Sequence, residues 1–216
     1  MADDGTLVLE ADALLLDCDG VLVDSHDAAA VAWNAWAQRW APGFDFHRDI
    51  EHGRRIRDVV AELIGGTGDL DEAVADLVQR EVEHAGDVVE VAGARELLAS
   101  LPPGRWAVVT SGGRAIATAR MSSAGLAPAQ VLVTGEDVEN GKPSPDPYLL
   151  AAQRLGVPPG RCAVFEDAPA GVAAAHAAGV MTVVGVGALA ATTAVTAVVE
   201  DLRGVRFDGR RLSIPR

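Results

Sequence analysis

Two pairs of carboxylates stand out because each pair follows a short apolar run. Asp17 and Asp19 lie in the stretch LLLDCDG, and Glu166 and Asp167 end the stretch CAVFED. Carboxylates that converge on one point repel each other unless a cation joins them, and ligand sets made only of oxygen suit a hard divalent ion, above all Mg²⁺. The two pairs therefore predict a magnesium site, provided that the fold brings the two stretches together.

Groups that could hold an anion follow two further apolar runs. Thr110, Ser111 and Gly112 come after WAVV, and Lys142 lies in the sequence GKP that follows VLV. A metal with hydrogen-bonding and positive donors around it is the usual arrangement for phosphoryl transfer, and an aspartate is a competent nucleophile toward phosphorus. Each motif alone is typical of solvated charge, a helix start or a surface loop. Their shared position after apolar runs favours a common site.

The elements that must position these residues alternate in type. Short apolar runs predict buried strands, and the helical patterns between them each end at a glycine, which is a common helix C-terminal signal. Such alternation implies an α/β fold with a parallel sheet, in which ligands bind at the carboxyl ends of the strands. The predicted strands are 13–16, 106–109, 131–133, 162–165 and 182–186, and the predicted helices between them are 114–124, 147–155 and 170–178.

One region, residues 26–91, contains no convincing buried strand. Trp33, Trp36 and Trp40 recur on one helix face, which is more typical of packing than of a substrate wall, and residues 58–64 and 70–83 also have helical patterns. We therefore predict a discontinuous Rossmann-like three-layer core domain, residues 1–25 and 92–216, with a small helical domain inserted at 26–91. Within the core, the tail 188–216 is expected to form a final helix and a short terminal strand or hairpin.

The overall charge limits the possible partners. A formal net charge of -13 argues against general binding to nucleic acid or to an anionic membrane surface, but not against a small phosphorylated substrate.

Cys18 and Cys162 are expected to be reduced, buried thiols. The sequence has neither a leader pattern nor a run of about 18 apolar residues, so we expect a cytoplasmic protein. Because no coiled-coil heptads occur, we expect a monomer.

Four motifs in chain order resemble those of the haloacid dehalogenase superfamily of phosphohydrolases. They are DCDGVLVDS at 17–25, TSG at 110–112, GKP at 141–143 and FEDAPAG at 165–171, and the resemblance extends along nearly the whole chain. The chain is most similar to the sugar-phosphate and polyol-phosphate phosphatases, of the 2-deoxyglucose-6-phosphate and glycerol-phosphate phosphatase type. The resemblance implies that residues 26–91 are a cap domain between the first and second motifs.

The resemblance also implies catalytic roles. Asp17 would attack phosphorus to form an aspartyl-phosphate, and Asp19 would protonate the leaving alkoxide and then deprotonate the hydrolytic water. Lys142 would neutralise the nucleophile and the phosphate. The implied metal is Mg²⁺, and its ligands would be Asp17, Asp167, the main-chain carbonyl of Asp19 and Glu166, the last as a ligand or in the surrounding shell.

Substrate contacts are implied from both parts of the chain. Thr110, the main-chain amide of Ser111, Gly112 and Lys142 would hold phosphate oxygens, while His52, Gly53 and Arg54 of the cap would contact substrate. The implied activity is Mg²⁺-dependent hydrolysis of small phosphorylated sugars or polyols. A phosphosugar mutase of the β-phosphoglucomutase type is the alternative, because both enzymes use the paired aspartates and a cap. A non-catalytic sugar-phosphate binding protein is a third hypothesis.

Overall fold

A six-stranded parallel sheet forms the centre of the protein. The structure is a computed structural model that describes residues 5–187 and 194–215. Its strands are β1 (Leu7–Glu10), β2 (Ala13–Leu16), β3 (Val23–Asp24), β4 (Val89–Glu90), β5 (Trp106–Val109), β6 (Leu132–Val133), β7 (Cys162–Glu166), β8 (Thr182–Val186), β9 (Ala197–Val199), β10 (Arg206–Phe207) and β11 (Arg211–Ile214). The central sheet has the order β6-β5-β2-β7-β8-β9, and all of its strand pairs are parallel.

Helices cover both faces of this sheet. The helices are α1 (His26–Trp40), α2 (Phe46–Asp49), α3 (Ile56–Ile64), α4 (Leu70–Glu83), α5 (Ala94–Ser100), α6 (Arg114–Ser123), α7 (Asp146–Leu155) and α8 (Pro169–Ala177), with 3-10 helices at His84–Asp87 and Pro159–Arg161. Side chains alternate across β2, so Leu14 and Leu16 pack in the cluster that contains α5 and α6 residues. Ala13 and Leu15 pack in the cluster that contains α7 and α8 residues. The result is the predicted three-layer α/β architecture.

The predicted elements of the central sheet agree closely with the structure. Strands 13–16, 106–109 and 182–186 match β2, β5 and β8, while β6 and β7 differ from their predictions by one residue at one end. Gly156 ends α7 in the left-handed conformation that a glycine adopts without strain. The buried strands were predictable because a strand covered on both faces has a continuous apolar sequence.

Helices α1–α4 and the 3-10 helix His84–Asp87 lie between β3 and β4, which pair with each other in a two-stranded antiparallel sheet. We call this segment the helical insert. It has an apolar cluster of its own, in which the fully buried Trp36 donates an indole hydrogen bond to the Ala73 carbonyl at 2.8 Å. Trp40 donates to Asp76 at 2.7 Å, so these two indoles pack α1 against α4. For both, the packing role predicted from sequence is confirmed.

The tail completes a small antiparallel sheet beside the core. The hairpin of β10 and β11 agrees with the prediction, and β1, which was not predicted, pairs with β11. The predicted final helix falls partly on residues 188–193, which lie outside the described residues, and residues 194–215 contain no helix. Cys18 and Cys162 are free and buried, as predicted. Among the described residues, no helix combines the length and apolar character that crossing a membrane requires.

Candidate active site

Asp17, Lys142 and Glu166 meet in a buried cluster at the carboxyl ends of the central strands. Lys142 Nζ donates to Asp17 Oδ1 at 2.7 Å, to Glu166 Oε1 at 2.6 Å and to the Val109 carbonyl at 3.0 Å. The hydroxyl of Tyr148 on α7 also donates to Glu166 Oε1, at 2.6 Å. Glu166 thereby fixes the position of the lysine that faces Asp17.

Asp167, which directly follows β7, lies beside Asp17. Oxygen atoms of Asp17, Glu166 and Asp167 lie within 4.8 Å of one another. Gly20 makes room for Asp167, because a Cβ at this position would come within 2.1 Å of Asp167 Oδ2. The φ angle of Gly20 is +77°, a left-handed conformation that also favours glycine. The sequence Asp17-Cys18-Asp19-Gly20 thus turns sharply so that Asp167 can approach Asp17.

The charges of this cluster are not balanced by Lys142 alone. Burial raises the pKa of Asp17 to about 8, although the neighbouring Lys142 acts in the opposite direction. Burial also raises the pKa of Asp167 well above its usual range, and the negative charges of Asp17 and Glu166 add to this effect. Burial disfavours the charged form of Lys142, but the two carboxylates that it contacts outweigh this and raise its pKa. The surplus of buried carboxylates favours an additional cation.

The segment after β5 faces this cluster from the side. Thr110 is buried, and its hydroxyl lies 3.4 Å from Asp19 Oδ2 and accepts a hydrogen bond from the Gly112 amide at 3.0 Å. The Ser111 hydroxyl donates to the Gly53 carbonyl of the helical insert at 2.6 Å. The predicted phosphate-binding segment therefore lies beside Asp19 and contacts the insert directly.

The helical insert lies over the cluster, with a cavity of about 150 Å³ between them. Residues of both parts line this cavity, and among them are Asp17, Asp19, Thr110, Ser111, Gly112, Asp167, His52, Gly53 and Arg54. Lys142 and Glu166 lie behind Asp17 and are buried. The structure thus brings all the sequence-predicted site residues into or directly against one cavity.

The insert residues on the cavity wall have additional partners. Arg54 pairs with two glutamates of the insert, with Glu51 at 3.0 Å and with Glu62. The ring of His52 lies 5.0 Å from that of His26, which also lines the cavity. Burial and the nearby imidazoles of His26 and His47 lower the pKa of His52. The wall above the acidic cluster therefore combines these polar groups with apolar side chains of the insert, among them Trp33 and Phe46.

Four neighbours of the site were not identified from sequence. Tyr148 supports Glu166, Ser25 donates to Asp19 Oδ1 at 2.7 Å, and Arg120 on α6 bridges Asp19 and Glu81. The sequence pattern does indicate two of these four residues. Arg120 lies on the face of α6 that also buries Ile116, Ala117 and Met121. Glu81 lies on the buried face of α4, in line with Ala73 and Leu77. A charged residue on the apolar face of a helix indicates a buried partner.

The family model of the haloacid dehalogenase-like hydrolases matches residues 11–179. The chain belongs to this family. The matched range contains all the residues of the acidic cluster and of the cavity wall named above.

Relatives of this haloacid dehalogenase-like hydrolase have names that state an activity. Hexitol phosphatase A of Escherichia coli is 40% identical over 169 residues, which cover 76% of this chain and 78% of that protein. Glycerol-1-phosphate phosphohydrolase 2 of Saccharomyces cerevisiae is 35% identical over 187 residues, which cover 80% of this chain and 74% of that protein. The crystal structure of a hydrolase from Pseudomonas syringae matches with a TM-score of 0.72 and 27% identity, over 89% of this chain and 94% of that chain. The chain is a phosphoric monoester hydrolase of this family.

Proposed function

We propose that this hydrolase removes the phosphoryl group from small phosphorylated sugars or polyols through an aspartyl-phosphate on Asp17, with Mg²⁺ as its cofactor. The contact of Asp17 with Lys142, in a cavity that Asp19 also lines, carries this proposal. An aspartate nucleophile needs a neighbouring cation while a charged phosphoryl group approaches, and a second carboxyl group near the leaving oxygen. Both are present.

The donor set fits Mg²⁺, since it consists of oxygens and the Gly20 turn leaves room for Asp167 beside Asp17. The carboxylates of Asp17 and Asp167 and the main-chain carbonyl of Asp19 would hold the ion. Glu166 supports the site from behind, because one of its oxygens already accepts hydrogen bonds from Lys142 and Tyr148. When bound, the cation supplies positive charge that reduces repulsion between the phosphoryl group and the carboxylates.

The residues of the chain perform two steps. Asp17 Oδ attacks phosphorus, the bond from phosphorus to the ester oxygen breaks, and Asp19 gives its proton to the departing alkoxide. Asp19, now ionised, takes a proton from a water molecule, whose oxygen attacks phosphorus and releases inorganic phosphate and free Asp17. Lys142 balances the negative charge at Asp17 in both steps, and Thr110 with the Ser111 amide would hold the phosphoryl oxygens, while the Gly112 amide orients the Thr110 hydroxyl.

The cavity and the relatives support the proposed substrate class. A volume of about 150 Å³ is below the range of about 300–1,000 Å³ that is usual for drug-sized ligands. The polar side chains of His52 and Arg54 and the main chain at Gly53, which lie on the cavity wall, suit hydroxyl groups, and two relatives are named for hexitol and glycerol phosphate. We further propose that residues 26–91 act as a cap domain on a core of residues 1–25 and 92–216, and we expect a cytoplasmic monomer.

The experiment is a measurement of inorganic phosphate released from a panel of esters, with Mg²⁺ and with EDTA. The panel contains glycerol phosphate, mannitol-1-phosphate, 2-deoxyglucose-6-phosphate, fructose-1-phosphate, glucose-6-phosphate and β-glucose-1-phosphate. Metal-dependent release from the polyol and sugar esters is expected. Conversion of β-glucose-1-phosphate to glucose-6-phosphate with little phosphate release would favour the mutase alternative, and binding without either product would favour a binding protein.

A further inference from the structure

Arg120 is a buried cation that joins the proposed acid/base residue to the helical insert. Its Nη1 donates to Asp19 Oδ1 at 2.5 Å, and its Nη2 donates to Glu81 Oε2 on α4. Arg120 and Glu81 are only 6% and 3% exposed, although Arg120 starts from a core helix and Glu81 from the insert. One guanidinium therefore holds two carboxylates that belong to different parts of the molecule.

The Arg120 contact restricts the orientation of the Asp19 side chain. Oδ1 accepts both from Arg120 and from the hydroxyl of Ser25, whereas Oδ2 is directed toward Thr110 at 3.4 Å. Ser25 precedes α1 at the N-cap position, where serine usually accepts a hydrogen bond from the helix, but its side chain makes no such cap. With Oδ1 held by two donors, Oδ2 is the oxygen left for proton transfer.

The other half of the bridge depends on the position of the insert. The planar guanidinium can serve two carboxylates only while both remain in the fork of its donors. Arg120 Nε is buried and has no hydrogen-bond partner among the residues that the structure describes. The hydrogen bonds of the guanidinium to these residues are therefore the ones to Asp19 and Glu81. If α4 moved away from α6, Glu81 would lose its contact with Arg120. The guanidinium would then be held against Asp19 without this second carboxylate.

We infer that Arg120 is a positioning residue for Asp19 and that Glu81 links this positioning to the helical insert. The inference rests on the proposed function, because it requires Asp19 to be the acid/base of the reaction. A solely structural bridge between α4 and α6 is the competing explanation, since breaking a buried ion pair is destabilising whatever its role. The two explanations differ in whether the effect of Arg120 on turnover passes through Asp19.

A double-mutant cycle separates the two explanations. The variants are Arg120→Met, Arg120→Lys, Glu81→Gln, Asp19→Asn and the combinations of each with Asp19→Asn, measured for kcat and KM with the best ester of the panel and for thermal midpoint. Asp19→Asn should lower kcat by about 10²-fold or more. Arg120→Met should lower kcat by about 10-fold or more with little change in KM, because only the proton-transfer geometry is disturbed.

The expected result is that Arg120→Met has less than about a twofold effect in the Asp19→Asn background, which is the signature of residues that act as one unit. Glu81→Gln should show the same dependence on Asp19 with a smaller loss. If the two losses multiply, Arg120 acts on structure alone and the inference is wrong while the proposed function stands. If Asp19→Asn retains wild-type turnover, the proposed acid/base role itself is wrong.

Two further variants keep the test valid if Arg120→Met does not fold. Arg120→Lys retains the charge but replaces the wide planar fork with donors on one compact nitrogen, which cannot hold Asp19 and Glu81 in the same geometry, so kcat should fall while the protein stays folded. Arg114→Met is the matched control, since Arg114 lies on the same helix but is half exposed and pairs with Asp137 at 2.8 Å. A loss in Arg114→Met equal to that in the Arg120 variants would also overturn the inference.

Discussion

Two aspartates at opposite ends of β2 have very different surroundings. Asp12 precedes the strand, is partly exposed and pairs with Arg161 at 2.9 Å. Asp17 follows the strand, is buried and contacts Lys142. Because only the carboxyl end of the sheet carries the acidic cluster, the same substitution at the two positions provides a matched test of the nucleophile.

Asp17→Asn should reduce kcat by at least about 10³-fold, because an amide oxygen cannot serve as the nucleophile in place of a carboxylate. The fold should be retained, since an asparagine oxygen can still accept the hydrogen bond from Lys142. Phosphate release and a thermal melt measure the two quantities. Asp12→Asn should keep kcat within about twofold of wild type, and Mg²⁺-dependent turnover of Asp17→Asn within tenfold of wild type would contradict the assignment.

At the residue scale, the sequence was enough to locate the acidic cluster but not the residues that hold its side chains in place. Asp17 and Asp167 directly follow strands, Glu166 ends one and Lys142 lies in the loop after another, and the carboxyl ends of parallel strands meet at one edge. Arg120 lies in the last turn of α6, and sequence alone does not show which helix faces it. Its partner Glu81 comes from an insert whose docking on the core depends on tertiary packing, so no local pattern connects the two residues.

At the element scale, α8 approaches β7 so closely that the contact requires glycine. A Cβ at Gly171 would come within 1.7 Å of Glu166 Oε1, and this side chain cannot move without losing its hydrogen bonds to Lys142 and Tyr148. Gly86, in the 3-10 helix His84–Asp87, has no atom within 4 Å of the corresponding position. The two glycines therefore form a matched pair for the same substitution.

Gly171→Ala should lower the free energy of unfolding by about 1–3 kcal/mol, as expected for overpacking, and should reduce kcat because Lys142 loses its support. Gly86→Ala should change the free energy of unfolding by less than about 0.5 kcal/mol and leave kcat unchanged. Urea denaturation and phosphate release measure these effects. Equal stability of the two variants would show that Glu166 has room to move.

Arg55 connects the start of α3 to the loop that carries Lys142. Its Nη1 donates to the Val138 and Glu139 carbonyls at 3.2 and 2.9 Å, and its side chain lies where a Cβ on Gly141 would be. Arg57, two residues later, is more exposed and pairs with Asp71 within the insert. The first arginine joins insert and core, and the second does not.

Arg55→Ala should lower kcat/KM by about tenfold, because the insert would no longer be held against the Lys142 loop and the cavity groups would lose their alignment. Arg57→Ala should stay within about twofold of wild type, since an exposed ion pair contributes little. The measurement is steady-state kinetics with the preferred ester. Similar values for both variants would exclude a role of Arg55 in holding the insert closed.

The elements of the core were predictable where burial leaves a sequence pattern. Strands β2, β5 and β8 are covered on both faces and have continuous apolar sequences. Strand β9 lies at the edge of the sheet and β1 in the small antiparallel sheet; both are short, each exposes a valine (Val198 and Val8), and neither was predicted. Periodicity identifies a strand best where both of its faces are buried.

At the scale of the whole molecule, negative charge accumulates both overall and at the site. The chain carries a formal charge of -13, and the carboxylates of Asp17, Glu166 and Asp167 converge at the site, where Lys142 contacts the first two. Burial of the neighbouring carboxylates of Asp17 and Asp167 destabilises the folded state. A divalent cation bound by both would offset this cost, and it would do so in the folded state only. Metal binding should therefore raise the free energy of unfolding, which can be measured independently of turnover.

Mg²⁺ at about ten times its dissociation constant should stabilise the protein by about 1.4 kcal/mol, because a ligand that binds only the folded state adds RT ln(1 + [L]/Kd). For a chain of this length that corresponds to an increase of about 3–6 °C in the thermal midpoint. EDTA should reverse the increase, and NaCl at equal ionic strength should not reproduce it. Asp167→Asn should abolish the increase, whereas Asp12→Asn should retain it. An increase that persists in Asp167→Asn would mean that the ion stabilises the protein through its general negative charge and not through the carboxylates beside Gly20.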